Sequence, residues 1–161
     1  MKLLIRLLVG ALCWSTAAFG ASAVDDCTKP KTLDDIKALV TGLGYDVSTE
    51  GNLLKITVNS NYNYPVYFSI SSDKAYLAIF TVLEDLPQDK VARLPAVDIL
   101  QFNDAHFDYL SLNKSKGGLR FVMQNTIPPS AATPQILRTT IARLVEDSNA
   151  SDMLWNPPKW N

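Results

Sequence analysis

The sequence has little of what most enzyme chemistry needs. It holds one histidine, His106, and two cysteines, Cys13 and Cys27, in 161 residues. A zinc site draws about four nitrogen, sulfur or oxygen ligands, and these residues make no convincing set. There is no Gly-x-Ser-x-Gly elbow to present a serine nucleophile. No metal or cofactor site is therefore expected. Charge of one sign is not in excess either: 15 basic residues face 16 acidic ones, scattered along the chain. Nucleic-acid binding needs a basic cluster to neutralise phosphates, so that class is set aside. After the first 23 residues no stretch approaches the ~20 apolar residues of a spanning helix, and no stable membrane insertion is expected.

What is present begins at the N-terminus. Lys2 and Arg6 precede an uncharged, mostly apolar stretch from Leu7 to Ala18, and Ala21-Ser22-Ala23 offers the small-x-small pattern of a cleavage site. Residues 1–23 read as a cleaved secretory signal cut after Ala23, with Ala18-Phe19-Gly20 as a second cut position. The expected location is periplasmic or secreted. Cleavage leaves 138 residues, with 13 basic against 16 acidic side chains and a net charge of −3. That length suits one domain. Cys27 alone survives cleavage, so no internal disulfide is expected. A free thiol and a cross-link between copies both stay open.

Residues 24–31 read as a flexible lead-in, 32–155 as one domain and 156–161 as a tail. Thr32 suits a helix N-cap, with Asp34 and Asp35 in the first turn. Leu33, Ile36, Leu39, Val40 and Leu43 keep helical spacing, and Gly42 and Gly44 end the helix. Leu54, Ile56 and Val58 alternate with polar residues, as do Val66, Phe68 and Ile70, so both segments read as half-buried strands. The next run, residues 75–83, is apolar on both faces: Tyr76, Ala78, Phe80 and Val82 on one, Leu77, Ile79 and Leu83 on the other. Such a strand needs cover on both sides. Asp85 to Gln88 opens a helical region that Pro95 kinks or splits, with Val97, Leu100 and Phe102 as its apolar side. Strands around Leu110 and Phe121 flank a turn at Lys114 to Gly118. Thr133-Pro134 caps a last helix whose buried stripe is Ile136, Leu137, Thr140, Ile141, Leu144 and Val145. The order α-β-β-β-α-β-β-α implies an α+β domain with an antiparallel five-stranded sheet packed with helices.

The segment NDAHFD, Asn103 to Asp108, carries the lone histidine between two acids. It falls where helix turns into strand. The reading adopted is structural: Asn103 bonds backbone at the helix end, Phe107 packs inward, Asp104 and Asp108 stay solvated, and His106 sits at the boundary. Catalysis would need a nucleophile that nothing here identifies. Tyr62, Tyr64 and Tyr67 cluster near a turn, as half-buried strand tyrosines or as the rim of a binding surface.

The element order, with TLDDIKALVTGLGYDV, AIFTVLEDLP, ILQFNDAHFDYLSLN and GGLRFVMQNTI, resembles the bacterial YbjN-like family, described as candidate sensory transduction regulators. The family shares the architecture of type III secretion chaperones. The resemblance spans residues 32–146 and rests on Gly44-Tyr45, Leu100, Asn103, Phe107 and the Gly-containing hairpin. It implies a chaperone-like fold, homodimerisation and no defined catalytic residue. The chain is expected to be an exported, non-enzymatic binding module, chaperone-like or regulatory, acting through contacts with a protein partner or with itself. Its candidate interface is Leu77, Ile79 and Leu83, taken as the outward set of the middle strand. Trp155 and Trp160, which flank Asn156-Pro157-Pro158-Lys159, either cap the core or anchor a partner. The alternatives are a small exported hydrolase using carboxylates and an envelope structural factor.

Overall fold

A computed structural model describes residues 31–115 and 117–160 of the chain. The export-like segment, its cut at Ala23 and Cys27 lie outside the described residues.

Helix α1 spans Leu33–Gly42 and starts as expected. The Thr32 hydroxyl accepts from the Asp35 amide, and the Asp35 carboxylate accepts from the Thr32 amide at 2.7 Å. This reciprocal pair satisfies two donors that a helix start leaves unpaired. Gly44, at φ +92°, takes the left-handed turn that ends the helix. Ile36 and Val40 face the core.

The sheet has six strands rather than the expected five, all antiparallel, in the order β1-β2-β3-β4-β6-β5. The additional strand is β1, Ser48–Glu50, three exposed residues paired to β2, Leu53–Asn59. It has no apolar alternation to announce it. Strand β3 is Asn63–Ile70 and β4 is Leu77–Leu86. Strands β5, Tyr109–Ser115, and β6, Gly118–Ile127, form the predicted hairpin.

Alternation along β4 holds, but its faces are the reverse of the expectation. Leu77 and Ile79 have 0% exposure and pair across to Ile70 and Phe68 of β3 and to Ile127 and Asn125 of β6. Leu83 also packs partly buried against the core. These three are therefore not the outward set. Tyr76, Ala78, Phe80 and Val82 are outward instead, with Tyr67, Ser69, Gln124 and Thr126 as neighbours. The reason is physical: alternation separates two faces but does not say which face the helices take. A register shift between Val82 and Asp85 then restores inward packing at Leu86 and turns Asp85 outward to Arg120 at 2.7 Å.

A 3-10 segment, Gln88–Arg93, precedes α2, Ala96–Ala105, and Pro95 occupies the N-cap, so Pro95 divides two short helices. Helix α3, Pro134–Ala150, buries Leu137, Thr140, Ile141, Leu144 and Val145 as expected; Ile136 is exposed. Its stripe continues into Asp147 and Ser148. A short helix α4, Asp152–Trp155, follows, and the residues after it fold back onto the domain. Helices α1 and α3 pack on the inward face, where Phe68, Phe121, Met123, Ile141 and Leu144 form one core.

Candidate functional site

Three places could carry function: the surface of α2, the outward face of the sheet, and the junction where α2 meets β5.

Helix α2 is unusual. Its sequence, AVDILQFNDA, is mostly apolar, yet none of its ten residues is buried. Ile99, Phe102 and Asn103 turn toward the sheet and are only partly covered. Val97 and Leu100, expected inside, are 66% and 68% exposed. Leu100 helps line an apolar groove of about 230 Å³ with Leu94, Ile99, Leu110, Leu112 and Phe121. Of the expected apolar side, Phe102 meets the sheet together with Ile99, while Val97 and Leu100 face solvent.

The outward face of the sheet carries aromatic rings among polar side chains, with Lys55 over the Tyr67 ring and the Asp85–Arg120 pair on the same face. Tyr67 stacks on Phe80 with centroids 5.4 Å apart. A shallow concavity of about 620 Å³ is lined by Tyr76, Phe80 and Tyr109 together with Ser69, Gln124 and Thr126. The first two predicted interface leucine-type positions, Leu77 and Ile79, are sealed beneath the opposite face and contribute to neither surface.

The two tail tryptophans pack on the domain. Trp155 is buried, and its indole N–H donates to Ser148 O at 2.8 Å. Trp160 meets Phe121 edge-on at 6.1 Å and donates to Met153 O. Tyr62 and Tyr64 support this end: the Tyr64 hydroxyl donates to Asn149 Oδ1 and the Tyr62 hydroxyl to Asp152, each at 2.9 Å. Burial pushes the Tyr64 hydroxyl well above its usual pKa, keeping it a donor.

The NDAHFD junction departs from expectation in two respects. Phe107 points out, 80% exposed, with the Arg143 guanidinium 4.7 Å from its ring centroid. Asp108 points in, at 0% exposure. The inversion follows from strand geometry, since Asp108 lies two residues before the core residue Leu110 and shares its face. Asn103 behaves as read, holding the Leu110 backbone by bonds of 2.7 and 3.0 Å. His106 ends α2, with Nδ1 2.8 Å from Phe102 O and its ring stacked on Phe102.

Asp108 Oδ1 accepts from Asn125 Nδ2 at 2.6 Å. Its second oxygen has no partner among the described residues, and neither does Oδ2 of Asp147, which reaches down from α3. Burial pushes the Asp108 carboxyl up to about 6; the Asn125 bond opposes this, and the Asp147 carboxyl beside it adds to the rise. His106 Nε2 is 3.9 Å from Asp147 Oδ1. Asp147 had no motif to mark it. Its signal was spacing: it follows the core residue Leu144 by three positions, on the same side of the helix. The pair is closed to solvent on the Asp108 side, so a substrate would meet it only after the junction opened. No group of three or more metal-ligating side chains occurs among the described residues, and none of the described helices is long and apolar enough to cross a membrane.

No family model and no curated protein matches the chain. Solved structures do. YbjN from E. coli, described as a candidate transcription regulator, aligns with a TM-score of 0.59 at 13% identity, over 77% of this chain and 96% of that one. The Yersinia pestis type III secretion chaperone SycH, solved with a stable fragment of YscM2, aligns at 0.50 and 16% identity, over 71% and 93%. A structure of the ExsC–ExsE complex gives 0.52 and 11%, over 76% and 94%. The chain has a YbjN-like, type III secretion chaperone-like fold. At these identities the likeness is one of fold.

Proposed function

We propose that this chain is a non-enzymatic protein-binding module, exported from the cytoplasm, whose α2 face pairs with a second copy. One observation carries the reading: α2 packs Ile99 and Phe102 only partly against the core and leaves Val97 and Leu100 about two-thirds exposed. Keeping such a helix in water forgoes roughly 25 cal/mol per Å² of apolar surface left uncovered. Leu100 lines an apolar groove on this surface, and Val97 projects beside it. Knob and groove side by side suit a two-fold contact, in which each copy fills the groove of the other.

The chaperone-like fold, two of whose structural neighbours are solved with protein partners, supports a role in holding other polypeptides. The outward sheet face, with rings among hydrogen-bonding side chains, is of suitable chemistry for that contact. Export rests on the residue pattern of 1–23. The hydrolase reading gains nothing from Asp108 and Asp147, because Asp108 faces no solvent.

Size-exclusion chromatography with light scattering tests the pairing. The protein is expected to run as a dimer at micromolar concentration, and Leu100→Asp as a folded monomer. A wild-type protein that is strictly monomeric at tens of micromolar overturns the proposal.

A further inference from the structure

We propose that Asp108 and Asp147 share one proton and form a pH-sensitive latch that seats α3 on the junction between α2 and β5. The inference goes beyond the binding role and does not rest on it.

The geometry carries it. Two carboxyl groups from distant parts of the chain meet in the interior: Asp108 at the entry to β5 and Asp147 near the end of α3. Each leaves one oxygen without a partner among the described residues. Two neighbouring buried carboxylates cannot both stay charged without a large desolvation and repulsion cost. One proton held between them removes a charge and supplies the missing donor. The same bond then ties α3 to the entry of β5.

The surroundings set the direction. Asn125 of β6 donates to Asp108, and its single amide satisfies only one of the oxygens. Arg143 of α3 is engaged over the Phe107 ring and offers Asp108 weak compensation. His106, at the end of α2, stands 3.9 Å from Asp147. Rising pH strips the shared proton from the junction, and the two carboxylates left behind place uncompensated negative charge under α3. The segment they loosen includes Phe107, already 80% exposed, and adjoins the α2 face.

The test compares the full chain with Asp108→Asn and Asp147→Asn between pH 4.5 and 8, with no partner present. Asparagine keeps the shape and the donor but cannot ionise. Melting temperature of the wild-type protein is expected to fall by roughly 5–15 °C across this range. Amide protection over residues 106–112 and 143–151, corrected for the intrinsic pH dependence of exchange, is expected to drop roughly tenfold or more. Asp108→Asn should flatten both profiles and melt higher than wild type at pH 8. If it fails to fold, Asp147→Asn carries the same expectation. A wild-type profile that stays level from pH 4.5 to 8 overturns the latch, as does an asparagine variant that keeps the wild-type dependence. Neither result bears on dimerisation, which the light-scattering experiment reads separately.

Discussion

Helix α3 is held at two polar junctions, and they are built on opposite principles. On one side of its C-terminal end, hydroxyl and indole groups each find a neutral, well-placed partner. The Ser148 and Ser151 hydroxyls donate to carbonyls four residues back, at 2.6 and 2.7 Å, and Trp155 and Tyr64 each find an acceptor. One residue before Ser148, Asp147 meets Asp108 in a junction that buries two acids with an orphan oxygen apiece. The first arrangement is indifferent to pH in the neutral range. The second stakes its stability on one proton. Aromatic bulk with satisfied N–H and O–H groups anchors a helix, whereas paired carboxyls make its seating conditional.

The largest effect should come from breaking the anchored end. Trp155→Ala removes a buried indole and its bond to Ser148, and is expected to cost about 3–5 kcal/mol in denaturant unfolding. Removing residues 156–161 should cost less, since it takes Trp160 from the side of Phe121 but leaves Trp155 in place. The conditional end comes next. A carboxyl whose folded-state pKa is raised stabilises the protein fully below its unfolded value, near 3.8, and that contribution is lost as pH climbs through about 6. The loss is on the order of 2–3 kcal/mol, complete by pH 8. Below pH 4 the trend reverses, because Asp152 and Asp85 are held below the usual carboxylate range by Lys159 and Arg120 and lose their bonds when protonated. Stability measured by urea titration at pH 4.5 and at pH 8 checks the sign. A protein more stable at pH 8 would erase the distinction between the two junctions.

Much of this architecture was legible in the residues. The cap at Thr32, the stop at Gly44, the division at Pro95, the hairpin around Gly117 and the stripe of α3 all follow from local chemistry and period. What was not legible is orientation. On β4 the alternation was plain, but Leu77 and Ile79 were placed outward because both faces are apolar and only tertiary packing chooses between them. Helix α2 shows the same limit: of the expected side Val97, Leu100 and Phe102, only Phe102 packs on the core, and Ile99 joins it there. Strand β1 escaped because three exposed residues carry no periodic signal. The acid pair was half visible. Asp108 keeps step with Leu110 and Asp147 with Leu144, so each position pointed inward, but an aspartate on an apolar face is ordinarily discounted. Their meeting depends on α3 crossing β6 beside Asn125, a long-range contact with no local trace.

The finest comparison lies within the anchored end itself. Tyr64 and Tyr62 make the same kind of bond, hydroxyl to side-chain oxygen at 2.9 Å, and stand edge-on with centroids 5.8 Å apart. They differ in burial: Tyr64 is in the core and Tyr62 at the surface. Tyr64→Phe strips Asn149 Oδ1 of its donor in a place water does not readily reach, and should cost about 1–2 kcal/mol. Tyr62→Phe leaves Asp152 with Lys159, whose ammonium donates to Oδ1 at 2.7 Å, and leaves water free to replace the lost hydroxyl. Its cost should stay near or below ~0.5 kcal/mol. The ring contact of Tyr62 with Trp155, at 5.4 Å, survives in the phenylalanine variant, so the pair of substitutions isolates the hydroxyls. Equal costs in chemical denaturation would mean that bond geometry, rather than exclusion of water, fixes the strength of this end. The contrast between the two junctions of α3 would then have to be redrawn, because it assigns their difference to which buried oxygens are left without a donor.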